Sequence, residues 1–198
     1  MPLFGFFTKL KKDVEVSARQ QFVLYEVNID RVAVHFRDGS ELTFEDLLRN
    51  GRANYILFEM LVRKFTGLKT TKGSDHEDDS GLKYEQKAYQ DEALHPNGDD
   101  LFQVSPSSTF GANNHGPTIK KLLEAGKYNE ALKICREKGY DKNAFYIVTN
   151  TRGFNPSIPL RFMIVPTSTI LSNLDASDPR FVSRSALLKL KTKTVRIL

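Results

Sequence analysis

The stretch that decides the fold is Gly73-Ser-Asp-His-Glu-Asp-Asp-Ser-Gly-Leu-Lys-Tyr-Glu-Gln-Lys87. Its middle, Asp78-Asp79-Ser80-Gly81, is typical of a turn, because glycine adopts positive φ without strain and the Asp and Ser side chains bond to nearby backbone groups. A turn centred on Ser80 predicts a β-hairpin over residues 72–89.

The predicted hairpin brings two acidic side chains and one lysine together. Asp75 lies opposite Glu85, and such cross-strand neighbours have Cβ atoms roughly 5 Å apart. Lys87 follows Glu85 by two residues, so both lie on one face of the second strand. Two carboxylates this close repel one another unless a cation offsets their charge. Because carboxylates suit Mg²⁺ and a lysine can meet an attacking water, the pattern indicates metal-dependent cleavage of phosphodiester bonds.

Two other interpretations of the hairpin stay open. In the first, the acids form a solvated turn, and the carboxylate and lysine of the second strand form a surface ion pair. In the second, Asp75, Glu77 and Asp79 alternate as they would in a calcium-binding loop. An EF-hand, however, needs glycine where Ser80 stands and glutamate where Gln86 stands.

Other metal and nucleophile chemistries find no support in the sequence. The histidines and the single cysteine form no cluster with zinc-ligand spacing: His35, His76, His95, His115 and Cys135. The chain also lacks the nucleophile-elbow glycines of a Ser-His-Asp hydrolase. It has no glycine-rich phosphate loop, which argues against ATP dependence.

Composition limits the class of protein. With 198 residues, of which 40% are hydrophobic, the chain can form one substantial domain. A single cysteine cannot form an internal disulfide, so we expect a reducing, cytoplasmic location. The apolar run at the N-terminus is too short for a signal peptide, and no run reaches membrane-spanning length, so we expect no membrane association.

Charge is distributed unevenly along the chain. The net charge is +5, yet residues 75–100 carry nine acidic residues against two lysines. Residues 180–198 carry six basic residues and no acidic one. A basic body around an acidic site favours a polyanionic substrate, since the body attracts phosphates and the site attracts a metal ion. The alternative is an ordinary basic protein with one acidic loop.

The order of predicted elements indicates a mixed α/β (α+β) fold with a central mixed β-sheet flanked by helices. We expect an N-terminal β-rich extension over 1–50 and a core with recognition loops over 51–198, together forming one compact domain. The predicted elements are a strand meander over 22–44, helices over 43–48 and 52–65, the hairpin, an extended patch over 101–104, helices over 117–125 and 129–138, strands over 144–149 and 160–165, a short helix over 167–174 and a weak final strand.

Residues from about 52 to 165 resemble the PD-(D/E)XK nuclease superfamily, in particular the type II restriction endonucleases. Asp75 stands at the motif aspartate, with Ser74 where proline is common, and Glu85-Gln86-Lys87 matches the (D/E)XK element. Glu59 lies on the preceding helix, where the family often places an accessory metal-site glutamate.

The resemblance implies a restriction-endonuclease-like core and a Mg²⁺ site, in which Mn²⁺ is expected to substitute. Asp75, Glu85 and the backbone carbonyl of Gln86 would hold one ion, and Glu59 would support a second. Lys87 would orient the attacking water or favour its deprotonated form. Hydrolysis would leave 5′-phosphate and 3′-hydroxyl ends.

Two residue roles within this motif have alternative interpretations. Asp78 and Asp79 lie near Asp75, although the spacing to the second strand favours Asp75. Glu59 could serve the metal, or it could simply pair with Arg63 one helical turn later.

Polar loops and the basic C-terminus provide candidate DNA contacts. Asn and Gln can pair with adenine and Arg with guanine in the major groove. The candidate base readers are Gln103, Asn113, Asn114, Asn150 and Arg152, and the candidate backbone contacts are Lys189, Lys191 and Lys193. Each reader could instead satisfy a turn backbone or contact a phosphate, and the lysines could form the solvated face of an edge strand.

The leading hypothesis is a Mg²⁺-dependent, site-specific endonuclease that hydrolyses double-stranded DNA as a type II restriction enzyme. One alternative is a less specific nuclease with the same core, of repair, recombination or phage origin. The other is a basic nucleic-acid-binding module without catalysis. A homodimer is the default for a palindromic site, although small enzymes of this type also act as monomers.

Overall fold

A computed structural model describes the chain over residues 22–27, 33–35, 37–43, 53–89, 100–150, 160–190 and 192–197. These residues form a mixed α/β fold in which helices flank a central mixed sheet, as the order of predicted elements indicated. No helix in the described ranges is long and apolar enough to cross a membrane.

Six strands form the central sheet, in the order β10-β1-β8-β7-β5-β4. Their bounds are Phe22–Val27 (β1), His76–Glu77 (β4), Lys83–Tyr89 (β5), Phe145–Asn150 (β7), Leu160–Pro166 (β8) and Thr192–Ile197 (β10). β5 runs parallel to β7 and β1 runs parallel to β10, whereas the other neighbours are antiparallel. The apolar sequences of β7 and β8 suit the middle of a sheet that is covered on both faces.

Two pairs of short strands lie outside the central sheet. β2 (Ala33–His35) pairs with β3 (Glu41–Thr43). β6 (Leu101–Gln103) pairs with β9 (Phe181–Ser183), so the predicted extended patch is a strand whose partner comes from far along the chain.

Five α-helices complete the described fold. Their bounds are Ala53–Thr66 (α1), Gly116–Glu124 (α2), Tyr128–Lys138 (α3), Thr167–Leu171 (α4) and Arg184–Leu188 (α5). Pro117 lies in the first turn of α2, where its missing N–H leaves no bond unmade. Gly126 follows α2 with a φ of 71°, a conformation that favours glycine and ends the helix. The predicted helix pair is therefore confirmed.

Alternate side chains of the central strands build a core on each face. One core includes Tyr146, Val148, Met163 and Val165 together with residues of α2 and α3. The other includes Tyr84, Ile147, Phe162 and Ile164 together with residues of α1. Because successive strand residues point to opposite faces, α1 covers one face of the sheet and the α2–α3 pair covers the other.

Toward both ends of the described chain, the observed elements differ from those that the sequence predicted. β1, which we assigned to the extension over residues 1–50, belongs to the central sheet and pairs with β8 and β10 rather than with β2. Thr43 ends β3 instead of beginning a helix, and residues 44–50 of that predicted helix lie outside the described residues. The C-terminal strand exists as β10, but β9 and α5, which precede it, were not predicted.

Candidate active site

The turn of the hairpin forms as its residues predict. Asp78 Oδ1 accepts hydrogen bonds from the backbone N–H groups of Ser80 (2.8 Å) and Leu82 (3.1 Å). Gly81 has a φ of 81°, which its lack of a side chain allows. Local residues therefore fix both the position of the turn and the register of the two strands.

The register places the two acids opposite one another. β4 pairs with β5 through His76 opposite Tyr84. One residue further from the turn, the same register brings Asp75 opposite Glu85, as predicted. The other candidate aspartates have different roles: Asp78 builds the turn, and Asp79 forms an exposed ion pair. The structure thus favours Asp75 as the aspartate of the site.

Short hydrogen bonds fix the acidic groups. Asp75 Oδ2 accepts the backbone N–H of Gln86 at 2.7 Å. Glu85 Oε1 accepts a bond from Lys87 Nζ at 2.6 Å, and the Glu85 and Lys87 side chains are only 10% and 17% exposed. This pair is therefore not the surface ion pair of the first alternative. We name Glu59, Asp75, Glu85 and Lys87 the hairpin cluster.

The backbone carbonyl of Gln86 points to the open edge beside Asp75. In an extended strand, the N–H and C=O of one residue point to the same side. The N–H of Gln86 points to Asp75, whereas the carbonyl of Lys83 points the other way and accepts the N–H of Ala144. Among the described residues, no strand pairs with β5 beyond Tyr84 on this side. The carbonyl is thus directed where the resemblance requires a ligand.

A buried polar chain supports Gln86 from the opposite face of the sheet. His76 Nε2 lies 2.7 Å from Gln86 Oε1, and the side-chain amide of Gln86 donates to Thr149 Oγ1 at 3.3 Å. His76 is fully buried, and burial lowers its pKa, so the ring is neutral. Its Nδ1 has no hydrogen-bond partner among the described residues. These contacts hold the segment of β5 whose Gln86 N–H binds the Asp75 carboxylate.

The electrostatics of the cluster disfavour the charged forms of its two glutamates. Burial raises the pKa of Glu85, and the nearby charges of Asp75 and Glu59 add to the increase, against the opposing charge of Lys87. Burial also raises the pKa of Glu59, followed by the charge of Asp75. Such carboxyl groups gain from a further cation, which is a recurrent property of functional sites.

Glu59 forms the ion pair that one of its two interpretations predicts. Its Oε2 lies 3.5 Å from Arg63 Nη1 on the next turn of α1, so the predicted pair exists. Its negative charge also contributes to the raised pKa of Glu85.

Tyr146 is a neighbour of the cluster that the sequence analysis missed. It lies opposite Glu85 in the parallel pairing of β5 and β7 and is fully buried. Its hydroxyl has no hydrogen-bond partner within the described part of the chain. Burial raises its pKa, and the charges of Glu85 and Asp75 are the next contributions. Only the β5–β7 pairing could have revealed this position.

The candidate DNA contacts are scattered. Gln103, Asn113 and Asn114 are exposed, and no hydrogen bond or ion pair between described residues joins them to the hairpin cluster. Lys189 follows α5 and lies outside β10, so the alternative in which the three lysines form the face of one edge strand does not hold. Arg152 and Lys191 lie outside the described residues, and Asn150 and Lys193 are described only as backbone positions in β7 and β10.

The oxygen ligands of the cluster fit a hard cation that binds few protein groups and keeps several waters. In the described ranges, no group of three or more His, Cys, Asp or Glu side chains is arranged as a metal site. Mg²⁺, however, commonly binds through one or two carboxylates and keeps several waters. Asp75, Glu85 and the carbonyl of Gln86 provide such a set.

Comparisons with protein-family models, with curated proteins and with solved structures gave no match to this chain. Its function must therefore be inferred from the residues and geometry of the site.

Proposed function

We propose that this chain is a divalent-metal-dependent endonuclease for double-stranded DNA, with the hairpin cluster as its active site. The observation that supports this most directly is the register that sets Asp75 opposite Glu85, with Lys87 bound to Glu85. The basic net charge favours a polyanionic substrate. The finer proposal is a site-specific enzyme of the type II restriction class with a PD-(D/E)XK core.

Each group of the cluster has a role in this proposal. Asp75, Glu85 and the carbonyl of Gln86 would hold Mg²⁺, and Mn²⁺ would substitute. A bound ion would neutralise charge on the scissile phosphate and lower the pKa of a coordinated water. Lys87 donates hydrogen bonds from Nζ, and the Glu85 carboxylate keeps that ammonium beside the reacting phosphate and water.

Further groups of the chain position these residues. The N–H of Gln86 orients the Asp75 carboxylate, and the buried His76–Gln86–Thr149 contacts hold the strand. Glu59 contributes negative charge to the same site. In the proposed reaction, water attacks phosphorus and the bond to the 3′-oxygen breaks, which leaves 5′-phosphate and 3′-hydroxyl ends.

A second candidate function is nucleic-acid binding without catalysis. It is favoured by the ion pairs of the cluster, since Glu85 already contacts Lys87 and Glu59 already contacts Arg63. The absence of a three-carboxylate arrangement within the described ranges points the same way.

Cleavage of supercoiled plasmid DNA tests the proposal. We expect Mg²⁺-dependent cutting that EDTA abolishes, and a loss of about 10²–10³-fold in rate for both Lys87→Ala and Asp75→Asn, a magnitude usual when one transition-state contact is removed. Lys83→Ala is the matched control: it lies two residues from Glu85 on the same strand, has no ion pair among the described residues, and should keep full activity.

Three outcomes separate the candidate functions. Wild-type cutting by Lys87→Ala would exclude the catalytic assignment. DNA binding without cutting in Mg²⁺ or Mn²⁺ would support the binding module. Discrete fragments from a long substrate would identify a site-specific enzyme, whereas a smear would identify a less specific nuclease.

A further inference from the structure

Three charged residues on neighbouring strands lie in one row of the central sheet, one step beyond the hairpin cluster. Arg196 of β10 lies opposite Glu26 of β1, and Glu26 lies opposite Arg161 of β8. The register continues from Arg161 to position 150 of β7 and from there to position 89 of β5. The row therefore leads to the strand that carries Glu85 and Lys87.

The row lies on the same face of the sheet as Lys87. The neighbouring register, two residues away on each strand, joins Lys87, Val148, Met163, Leu24 and Thr194. Residues two apart on a strand share a face. Arg161, Glu26 and Arg196 therefore lie on the face of Lys87, at the end of the sheet where β1, β5, β7 and β10 finish.

The row has one cation more than its own acid requires. Glu26 is 8% exposed and accepts Arg161 Nε at 2.6 Å. Arg161 alone would neutralise this carboxylate. Arg196 adds a single contact, from Nε at 3.3 Å, while 82% of its side chain is exposed.

The second arginine is largely exposed and keeps donors unpaired among the described residues. Within the described part of the chain, Arg196 has no other polar partner than Glu26. A guanidinium held through Nε keeps its two terminal amino groups for an oxyanion, which is the geometry that proteins use to bind phosphate. Glu26 thus orients Arg196 without using its phosphate-binding edge.

The dimensions of the row match an extended anion. Neighbouring strands lie roughly 4.8 Å apart, so the three charged residues on β8, β1 and β10 span roughly 10 Å, and the distance onward to β5 makes roughly 19 Å. A DNA strand presents a negative charge about every 3.4 Å of helix axis, so several phosphates lie along this length.

We propose that Arg161, Glu26 and Arg196 form a phosphate-binding strip that holds the backbone of duplex DNA flanking the cleavage site. This inference rests on the proposed function, since it assigns the strip to the substrate of the hairpin cluster. The strip and the cluster would contact the same duplex along the end of the sheet where β1, β5, β7 and β10 finish.

Binding of a fluorescein-labelled DNA duplex, followed by anisotropy in EDTA over a range of salt concentrations, tests the strip. We expect Arg196→Gln to weaken binding several-fold and to reduce the slope of log K against log salt by about 0.9, the value for one phosphate contact. Glu26→Gln should change affinity in the opposite direction, because it removes a negative charge and leaves both arginines cationic.

Arg136→Gln is the matched control. Arg136 is a half-exposed arginine of α3 that pairs with Asp141 and is not part of the strip. Its substitution changes the net charge of the protein by the same amount as Arg196→Gln. We expect its affinity and salt slope to equal those of the wild type. Thermal melting of each variant verifies folding, and Arg196→Gln alone decides the question if Glu26→Gln is unstable.

The outcomes distinguish this inference from the proposed function. Wild-type protein that neither binds nor cuts duplex DNA would overturn both. Wild-type protein that binds and cuts, with Arg196→Gln indistinguishable from Arg136→Gln, would overturn the strip alone. Stronger competition by single-stranded RNA than by duplex DNA would overturn the choice of ligand.

Discussion

Two acidic clusters of this molecule differ in how well their carboxylates are satisfied. The Asp100 cluster joins the start of β6 to α5. Asp100 accepts hydrogen bonds from Ser183 Oγ (2.7 Å), the backbone N–H of Ser185 (2.8 Å) and Arg184 Nε (3.0 Å). Partial burial opposes the effect of these donors, yet the pKa of Asp100 falls to about 2. Every contact here stabilises the charged form.

The hairpin cluster has the opposite character. Its Glu85 and Glu59 have raised pKa values, because burial and neighbouring negative charges outweigh the nearby cations. Two buried polar atoms nearby have no hydrogen-bond partner among the described residues: the Tyr146 hydroxyl on the face of Glu85, and His76 Nδ1 on the opposite face. Buried polar groups are usually satisfied. Raised carboxyl pKa values and missing hydrogen bonds are expected at a site where a ligand, rather than the fold, provides the missing partners.

The largest expected effect is stabilisation by Mg²⁺. Because the pKa of Glu85 is raised, its protonated form stabilises the fold at low pH, and this stability is lost as pH rises through that pKa. A bound cation can then offset the negative charge of the ionised Glu85. At 100 times its Kd, the ion should add about 2.7 kcal/mol to the free energy of unfolding. Thermal melting over a Mg²⁺ series should show this shift in mildly alkaline buffer and a smaller one in acid.

Two variants complete this comparison of the clusters. Glu85→Gln should lose the Mg²⁺ dependence, whereas Asp100→Asn should keep it in full. An equal Mg²⁺ shift in wild type and Glu85→Gln would mean that the ion binds elsewhere, and the contrast between the clusters would fail.

A smaller effect is expected at Asp100. Asp100→Asn should reduce the free energy of unfolding by about 1 kcal/mol, because it weakens bonds to a helix N-terminus and a guanidinium. The lowered pKa of Asp100 means that its stabilisation is present at neutral pH and lost as pH falls toward about 2, so the difference from wild type should shrink in acid. Urea denaturation at several pH values measures both.

The control for this variant is another aspartate. Asp79→Asn removes an exposed ion pair with Lys69 and should leave the free energy of unfolding nearly unchanged. Cleavage should be unaffected in both variants. A loss of cleavage in Asp100→Asn would show that the Asp100 cluster is not purely structural.

The sequence predicted features that depend on neighbouring residues and missed those that depend on distant ones. The hairpin register was predictable because its turn residues, from Asp78 to Gly81, fix it locally. Pro117 and Gly126 likewise marked α2. The positions of β1 and β10 in the sheet depend on pairing between opposite ends of the chain, which no local pattern specifies. The same reason hid Tyr146, whose partner strand lies beyond the helix pair.

The smallest expected effect is at Tyr146. Its hydroxyl has no hydrogen-bond partner within the described residues, so Tyr146→Phe should leave the free energy of unfolding unchanged or raise it by about 1 kcal/mol. If the hydroxyl completes the hairpin cluster toward substrate, cleavage should fall roughly fivefold, the value of one hydrogen bond of about 1 kcal/mol. Denaturation and plasmid cleavage on the same preparation measure the two effects separately.

Tyr140→Phe provides the control for this last comparison, because Tyr140 is also fully buried and its ring lies 6.1 Å from that of Tyr146. Its hydroxyl donates to the Pro179 carbonyl at 2.7 Å, so its loss should cost about 1 kcal/mol of stability and leave cleavage unchanged. Equal destabilisation by the two substitutions, with equal rates, would show that the Tyr146 hydroxyl serves the fold. The hairpin cluster would then be as fully satisfied as the Asp100 cluster on this side.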